Sequence, residues 1–396
     1  MFGAIYTGLT GLNAYSRGLQ QVSNNVTNLN TSGFKGSTVS FQSYYATSDR
    51  GGLSYSSSGG GGGGGVGISD PRLDLSRGEL RQTDRDLDLA IDGTGFLVLL
   101  DGTDVVYART GSFEVDESGF IVLAGTDYRL ATLDAAGRPV SLSIDSARTS
   151  APKPTSRIAF ADNLSSSDDE YSVADLRVHD ARGGEHVWTA KFVRDKDAAG
   201  NAWTVSVTDA TGATMKSAAA TLRFDLLGKV DPETAALSFT DEAAGFTVAL
   251  DFPKSVTSFS AGDLSTLRSA SVDGHGVGAV TSIAVNAAGE LELGYSNEQK
   301  LALGAIAIAD FRDPQALEQR SGGLFAFEGT NGLEYLGSAD PRVGKVLSRR
   351  LEASNVDLAK QFGDLILIQR GFQASSQIVS VSNDMIQQLF GIRGQQ

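Results

Sequence analysis

The sequence predicts a multidomain α+β protein, with coiled-coil-like N- and C-terminal helices enclosing two nested antiparallel β domains. Three observations carry that expectation. Apolar residues recur every seventh position at both chain ends: Ile5, Leu12, Leu19 and Val26, then Leu358, Leu365, Phe372, Val379 and Ile386. Between the ends, short apolar runs are punctuated by one repeated turn, an Asp or Asn followed three residues later by Gly. At 396 residues the chain is also too long for one ordinary core. The expected layout is an N-terminal helix over 1–33 and a Gly/Ser-rich linker over 34–67. An inner β domain over 68–152 and 285–350 is interrupted by an inserted outer β domain over 153–284, and a C-terminal helix over 351–396 ends the chain.

The N-terminal helix carries its stripe with Tyr15, Val22 and Leu29 at the +3 offset, and otherwise shows small or amide side chains such as Gly8, Gly11, Asn24, Asn25 and Asn28. Thr31-Ser32-Gly33 stops it, with Gly33 suited to a left-handed cap. Seven consecutive glycines before Val66 read as flexible linker. Beyond them, Leu87, Leu89 and Ile91 alternate with Asp86, Asp88 and Asp92, which predicts a strand with one wet face. Asp92-Gly93 turns into the fully apolar Phe96–Leu100. The turn pattern recurs at Asp116 to Gly119, Asp134 to Gly137, Asp197 to Gly200, Asp209 to Gly212 and Asn286 to Gly289, so the middle is expected to be antiparallel throughout. A softer junction falls at Ser150–Pro154. In the C-terminal helix, Ile368 and Leu389 add the +3 offset, and Ser354-x-x-Asp357 predicts a capping box at its start.

A formal charge of −14 argues against nucleic acid as a partner. The acidity belongs to the middle, since residues 1–48 hold no Asp or Glu and only Arg17 and Lys35 as cations. No apolar run is long enough to span a membrane. The first residues lack the pattern of a cleaved secretory signal, which alone reads as cytoplasmic. With no cysteine there are no disulfides, thiol nucleophiles or thiolate metal sites. The glycine run lacks the Lys-Ser/Thr of a phosphate loop. Asp84, Asp86, Asp88 and Asp92 suggest calcium less well than a solvated strand face, because the calcium-loop glycine and distal Glu are missing. His179, His186 and His275 have no metal-ligand spacing. No catalytic site, metal or cofactor is expected.

Two helices striped on one side, tied to a β body, bury too little apolar surface to offset the cost of ordering them. Association with other copies removes that deficit, so the ends are expected to stay weakly helical until they assemble. The inner interface is expected at Ile5, Leu9, Leu12, Leu19, Val22, Val26, Leu29, Leu358, Leu365, Ile368, Phe372, Val379, Ile386 and Leu389. Asn24, Asn25, Asn28 and Arg370 are candidate polar contacts between subunits. Solvated, acidic outer domains would then slide past one another at little cost.

The end segments carry a resemblance. Gly8–Ala14 and Val22–Lys35 resemble the N-terminal signature of the flagellar rod and hook family, and Leu351–Leu358 with Gln369–Ala374 resembles its C-terminal counterpart. Asp88–Phe96 and Arg109–Phe113 look like the family's inner β domain. Val173–Val207 resembles the hook's outer domain, which distal rod proteins lack, and Leu291–Pro314 resembles the return into the hook's inner domain. The resemblance implies a homopolymer forming a curved tube that passes torque from rod to filament. It also implies unfolded export through the flagellar type III apparatus without a cleaved signal peptide, an extracellular location, and a hook cap, rod and hook–filament junction proteins as partners. A distal rod subunit is the near alternative, and another secreted fibre-forming protein the distant one.

Overall fold

The computed structural model describes residues 2–45, 63–102, 104–196, 201–217, 220–262, 264–329 and 331–393. Contacts divide the chain into two compact units. Unit 1 is Met1–Asp145, Ile283–Glu292 and Ala302–Gln396; unit 2 is Ser146–Ser282 and Leu293–Leu301.

Unit 1 joins the terminal helices to a large antiparallel sheet. Its central strand, Phe96–Asp101, pairs with Asp104–Ala108 on one edge, and with Arg129–Leu133 and Ala307–Phe311 on the other. From Arg129–Leu133 the sheet continues through Ile121–Leu123, Thr110–Val115 and Asp88–Asp92 to Lys345–Ser348. Phe96–Leu100 is apolar without alternation because both faces are covered. Leu97 and Leu99 enter one cluster with Ile91, Phe113 and Ile308, while Phe96 and Val98 enter a second with Tyr107, Phe311 and Phe325.

This packing corrects the expected wet face at Asp88 and Ala90, while Asp92 stays exposed. Asp88 is buried, accepting from Ser112 Oγ at 2.6 Å, while Asp86 and Asp92 pair separately with Arg349 and Arg77. The alternation of acid and leucine therefore marks a strand end lined by specific partners.

Two sheets of unit 2 enclose one core. One contains Glu170–His179, Glu185–Asp195, Asn201–Asp209 and Thr221–Phe224. The second is built on Arg157–Asn163, which pairs antiparallel with Arg268–Val272 but parallel with Phe246–Asp251 and Val256–Thr257. The expectation of antiparallel pairing throughout is thus corrected at this strand. A parallel return needs a long crossover, and the first sheet supplies it. Trp188, Trp203, Phe160, Phe192, Phe239 and Phe252 fill the shared core.

The turns follow the repeated pattern. Gly119, Gly137, Gly212 and Gly289 have φ between 76° and 89°, and each donates to the carbonyl of its Asp or Asn at 2.9–3.1 Å. Asp180–Gly183 and Asp225–Gly228, not singled out in the sequence, make the same turn. Asp197–Gly200 lies outside the described residues.

The linker expected over 34–67 is corrected where it is described. Residues 33–37 are buried, and Phe41–Tyr45 pairs with Gly63–Ile68 as a hairpin beside the N-terminal helix. Thr10 Oγ1 accepts from Val66 N at 3.1 Å, and a Cβ on Gly65 would fall within 2.4 Å of it. Glycine at this point allows a strand to lie against the helix. Most of the glycine run lies outside the described residues.

Candidate assembly surface

Helix α1 spans Phe2–Thr27 and helix α2 spans Leu358–Arg393. At 1.5 Å per residue α2 is roughly 54 Å long. Asp357 caps it, its Oδ1 accepting from Ala359 N at 2.8 Å and Lys360 N at 3.2 Å. Ser354 bonds only to Val356 N, which replaces the expected capping box with a single aspartate cap.

The helices are formed and run antiparallel within one chain, which corrects the expectation of unformed ends. Gly8 faces Val379 and Ser375, Gly11 faces Ser375, Tyr15 faces Gly371, Gly18 faces Ile368, and Asn25 bonds Gln361. Their contact is a stripe of small and amide residues. On α1 it is Gly8, Gly11, Ala14, Gly18, Val22 and Asn25; on α2 it is Gln361, Ile368, Ser375 and Ser382, again seven apart. A Cβ at Gly8 would stand 2.7 Å from a Val379 methyl, so the backbones meet as closely as glycine permits.

The predicted apolar seam is therefore not the contact line of this pair. Of the expected interface residues, Val22 and Ile368 are buried between the helices. Ile5, Leu12, Val26, Leu29, Leu365, Val379 and Ile386 are half-buried along its flanks, and Leu9, Leu19, Leu358 and Phe372 are exposed. The side chain of Leu389 lies outside the described residues. Apolar residues occur on several faces of α2, and α1 covers one of them. Phe362, Ile366, Leu367, Phe372, Ile378, Val381 and Met385 remain exposed, Leu367 by 71%.

The amide candidates also divide. Asn25 is buried and works inside the chain, donating to Ser37 O at 2.9 Å and Gln361 Oε1 at 3.0 Å while its Oδ1 accepts from Ser37 N. This corrects its assignment as a contact between subunits. Asn24 and Arg370 are exposed, and Asn28 Nδ2 turns back to Asn24 O at 2.9 Å.

At the base of the helix pair is a charge cluster outside the predicted seam. Glu352 and Lys35 are both fully buried and 2.6 Å apart, and Arg109 Nε reaches the other Glu352 oxygen at 3.3 Å. Gly78 N and Ser76 O complete the shell of this pair, and Arg109 also donates to the carbonyls of Gly93 and Gly95. Burial pulls the pKa of Lys35 and of Arg109 down, against the opposing pull of Glu352. Asn355 adds Gly36 N at 2.8 Å and Asp74 O at 2.7 Å. The cluster joins both chain ends to the inner sheet. One signal was available: Lys35 is one of only two cations in the first 48 residues.

Terminal helices that satisfy each other on one face and display apolar side chains on others define a subunit built for assembly. Known proteins place it further. Residues 5–35 match the family description "Flagella basal body rod protein", residues 143–275 match "Flagellar basal body protein FlaE D2 domain", and residues 347–392 match "Flagellar basal body rod FlgEFG protein C-terminal". The chain belongs to the flagellar rod and hook family. It is 28% identical to the flagellar hook protein FlgE of Salmonella typhimurium, over 97% of this chain and 98% of that one. It is 29% identical to the Escherichia coli protein of that name, over 98% and 100%, and 27% identical to that of Borreliella burgdorferi, over 99% and 100%. The crystal structure of Helicobacter pylori flagellar hook protein FlgE2 aligns with TM-score 0.49 and 13% identity, covering 69% of this chain and 99% of that one.

Proposed function

We infer that this chain is a structural subunit of the bacterial flagellar hook, polymerising into the tube that couples rod to filament. The observation that carries the reading is the uncovered apolar surface of α2, whose Phe362, Leu367, Phe372 and Ile378 meet water in a single chain. Eight such side chains on one helix, Leu358 included, are a large unburied apolar surface, and association removes it from water. The small-residue contact fixes the helix pair as one rigid rod, and the outward faces pack rod against rod.

The partner in that packing is the chain itself. Rod, cap and junction proteins at the two ends of the tube, and unfolded export through the flagellar type III apparatus to an extracellular site, complete the proposal. The chain works as a structural element, not as an enzyme. The relatives over nearly its whole length carry the hook name, which favours hook over distal rod.

Electron microscopy of the purified chain tests this: curved tubes are expected. Straight tubes would favour a rod subunit, and a protein that stays monodisperse at high concentration would overturn the reading.

A further inference from the structure

Accessible sulfur is scarce in this chain. It has no cysteine and three methionines. Met215 is buried in the unit 2 core, and Met1 lies outside the described residues. Met385 on α2 is the exception among the described residues, 50% exposed. A thioether open to water is a site of two-electron oxidation, and methionine sulfoxide reductases return the product to the thioether.

The position of Met385 gives that chemistry a consequence. Ile378, Val381 and Met385 stand three and four residues apart, so they form one stripe along α2, and each is exposed. Ser382, on the face that meets α1, is buried, so the stripe runs along the open flank of the helix contact. Ile378 and Val381 are plain hydrocarbon. Met385 fills the third place with a flexible, polarisable thioether that adapts to an apolar partner. Oxidation turns it into a polar, chiral sulfoxide. In the single chain water hydrates the sulfoxide oxygen. Packing the stripe against apolar surface strips that water and returns no hydrogen bond from Ile378 or Val381.

We propose that Met385 is an oxidation site through which peroxide controls whether the free subunit can polymerise. This deepens the hook reading and rests on it, since on that reading the stripe is open in one copy and covered in the tube. In the step itself, a sulfur lone pair of Met385 attacks one oxygen of hydrogen peroxide and the O–O bond breaks. The sulfur loses two electrons to become the sulfoxide, and the second oxygen leaves as water with both peroxide protons. Copies already in the tube are shielded, so the modification acts on those awaiting assembly. The reductases reverse it, which makes the block a switch and not a lesion.

The test treats the purified full chain with hydrogen peroxide, removes the oxidant, and locates the added oxygen among the three methionines by peptide mass spectrometry. Oxidation at Met385 should raise the critical concentration for tube formation at least about tenfold, as expected when one apolar side chain no longer buries favourably. Methionine sulfoxide reductases A and B, one for each epimer, should restore the original value. Met385→Leu, compared with itself before and after peroxide, should show no shift. Chain oxidised after assembly should gain oxygen at Met385 more slowly than free chain. Chain fully oxidised at Met385 that polymerises at its untreated concentration would overturn the proposal. So would an equal peroxide effect in Met385→Leu, or equal oxidation rates in tube and free chain. Failure of the unaltered, untreated chain to form tubes would strike the polymer reading, on which the proposal rests.

Discussion

Both oxygens of the Glu352 carboxylate are engaged by cations, Lys35 Nζ at 2.6 Å and Arg109 Nε at 3.3 Å, in a site closed to water. Removing the carboxylate leaves two cations buried, so Glu352→Ala should cost about 3–5 kcal/mol, read as a lowered denaturant midpoint of unit 1. Glu352→Gln keeps an acceptor for the donors and should lose less; equal losses would mean that charge plays no part. In unit 2, Asp273 accepts from Ser156 N, Ser156 Oγ and Arg157 N at 2.6–2.9 Å. Burial alone would raise its pKa, but these hydrogen bonds outweigh it and hold the carboxyl below its ordinary 3.8. A carboxyl lowered on folding adds stability that is complete above the unfolded value and is lost as pH falls through the folded one. Asp74, Asp180 and Asp209 are shifted the same way. Thermal unfolding between about pH 4 and pH 2 should therefore show a falling midpoint, with a shallower slope in Asp273→Asn.

The helices show which parts of a sequence carry their own structural meaning. The seven-residue period at both ends was legible, but the stop was placed too late: α1 ends at Thr27, and Gly33, with φ 73°, lies beyond the helix and donates its N–H to Glu352 O at 2.8 Å. Period alone did not say which stripe makes the intramolecular contact. Apolar content pointed to Leu358, Leu365 and Phe372, yet close approach favours Gly, Ser and an amide pair, and these make the contact here, with Val379 packed on Gly8. Lys35–Glu352 was illegible because 317 positions separate its members and only the folded chain joins them. The parallel strand at 157–163 was hidden for the same reason, since its partners lie across the crossover. The asymmetry of α2 separates two kinds of damage. Ile368→Asp puts a charge between the helices and should unpair them, lowering the helical circular dichroism of the single chain. Leu367→Asp lies one residue away but points outward, so the monomer spectrum should stay unchanged while tube formation is lost. Equal behaviour of the two variants would show that α2 has no separate outward role.

At the scale of the whole chain, folding and assembly draw on different residues. Every buried residue of the unit 2 core lies between Ile158 and Leu267, so that core needs nothing from the chain ends. The apolar faces of α2 belong to unit 1 and are unfinished in one copy. A fragment over 146–282 should therefore unfold in a single cooperative step, as domains under about 150 residues do. Its core is closed within 158–267, so sedimentation should find it monomeric at concentrations where the full chain polymerises. Polymerisation by that fragment would move the driving surface from the helices to the outer unit. A fragment that failed to fold would mean that the inserted unit borrows stability from the rest of the chain. Joining a self-sufficient β unit to helices that are complete only in company lets one chain remain folded before assembly and still be compelled to assemble.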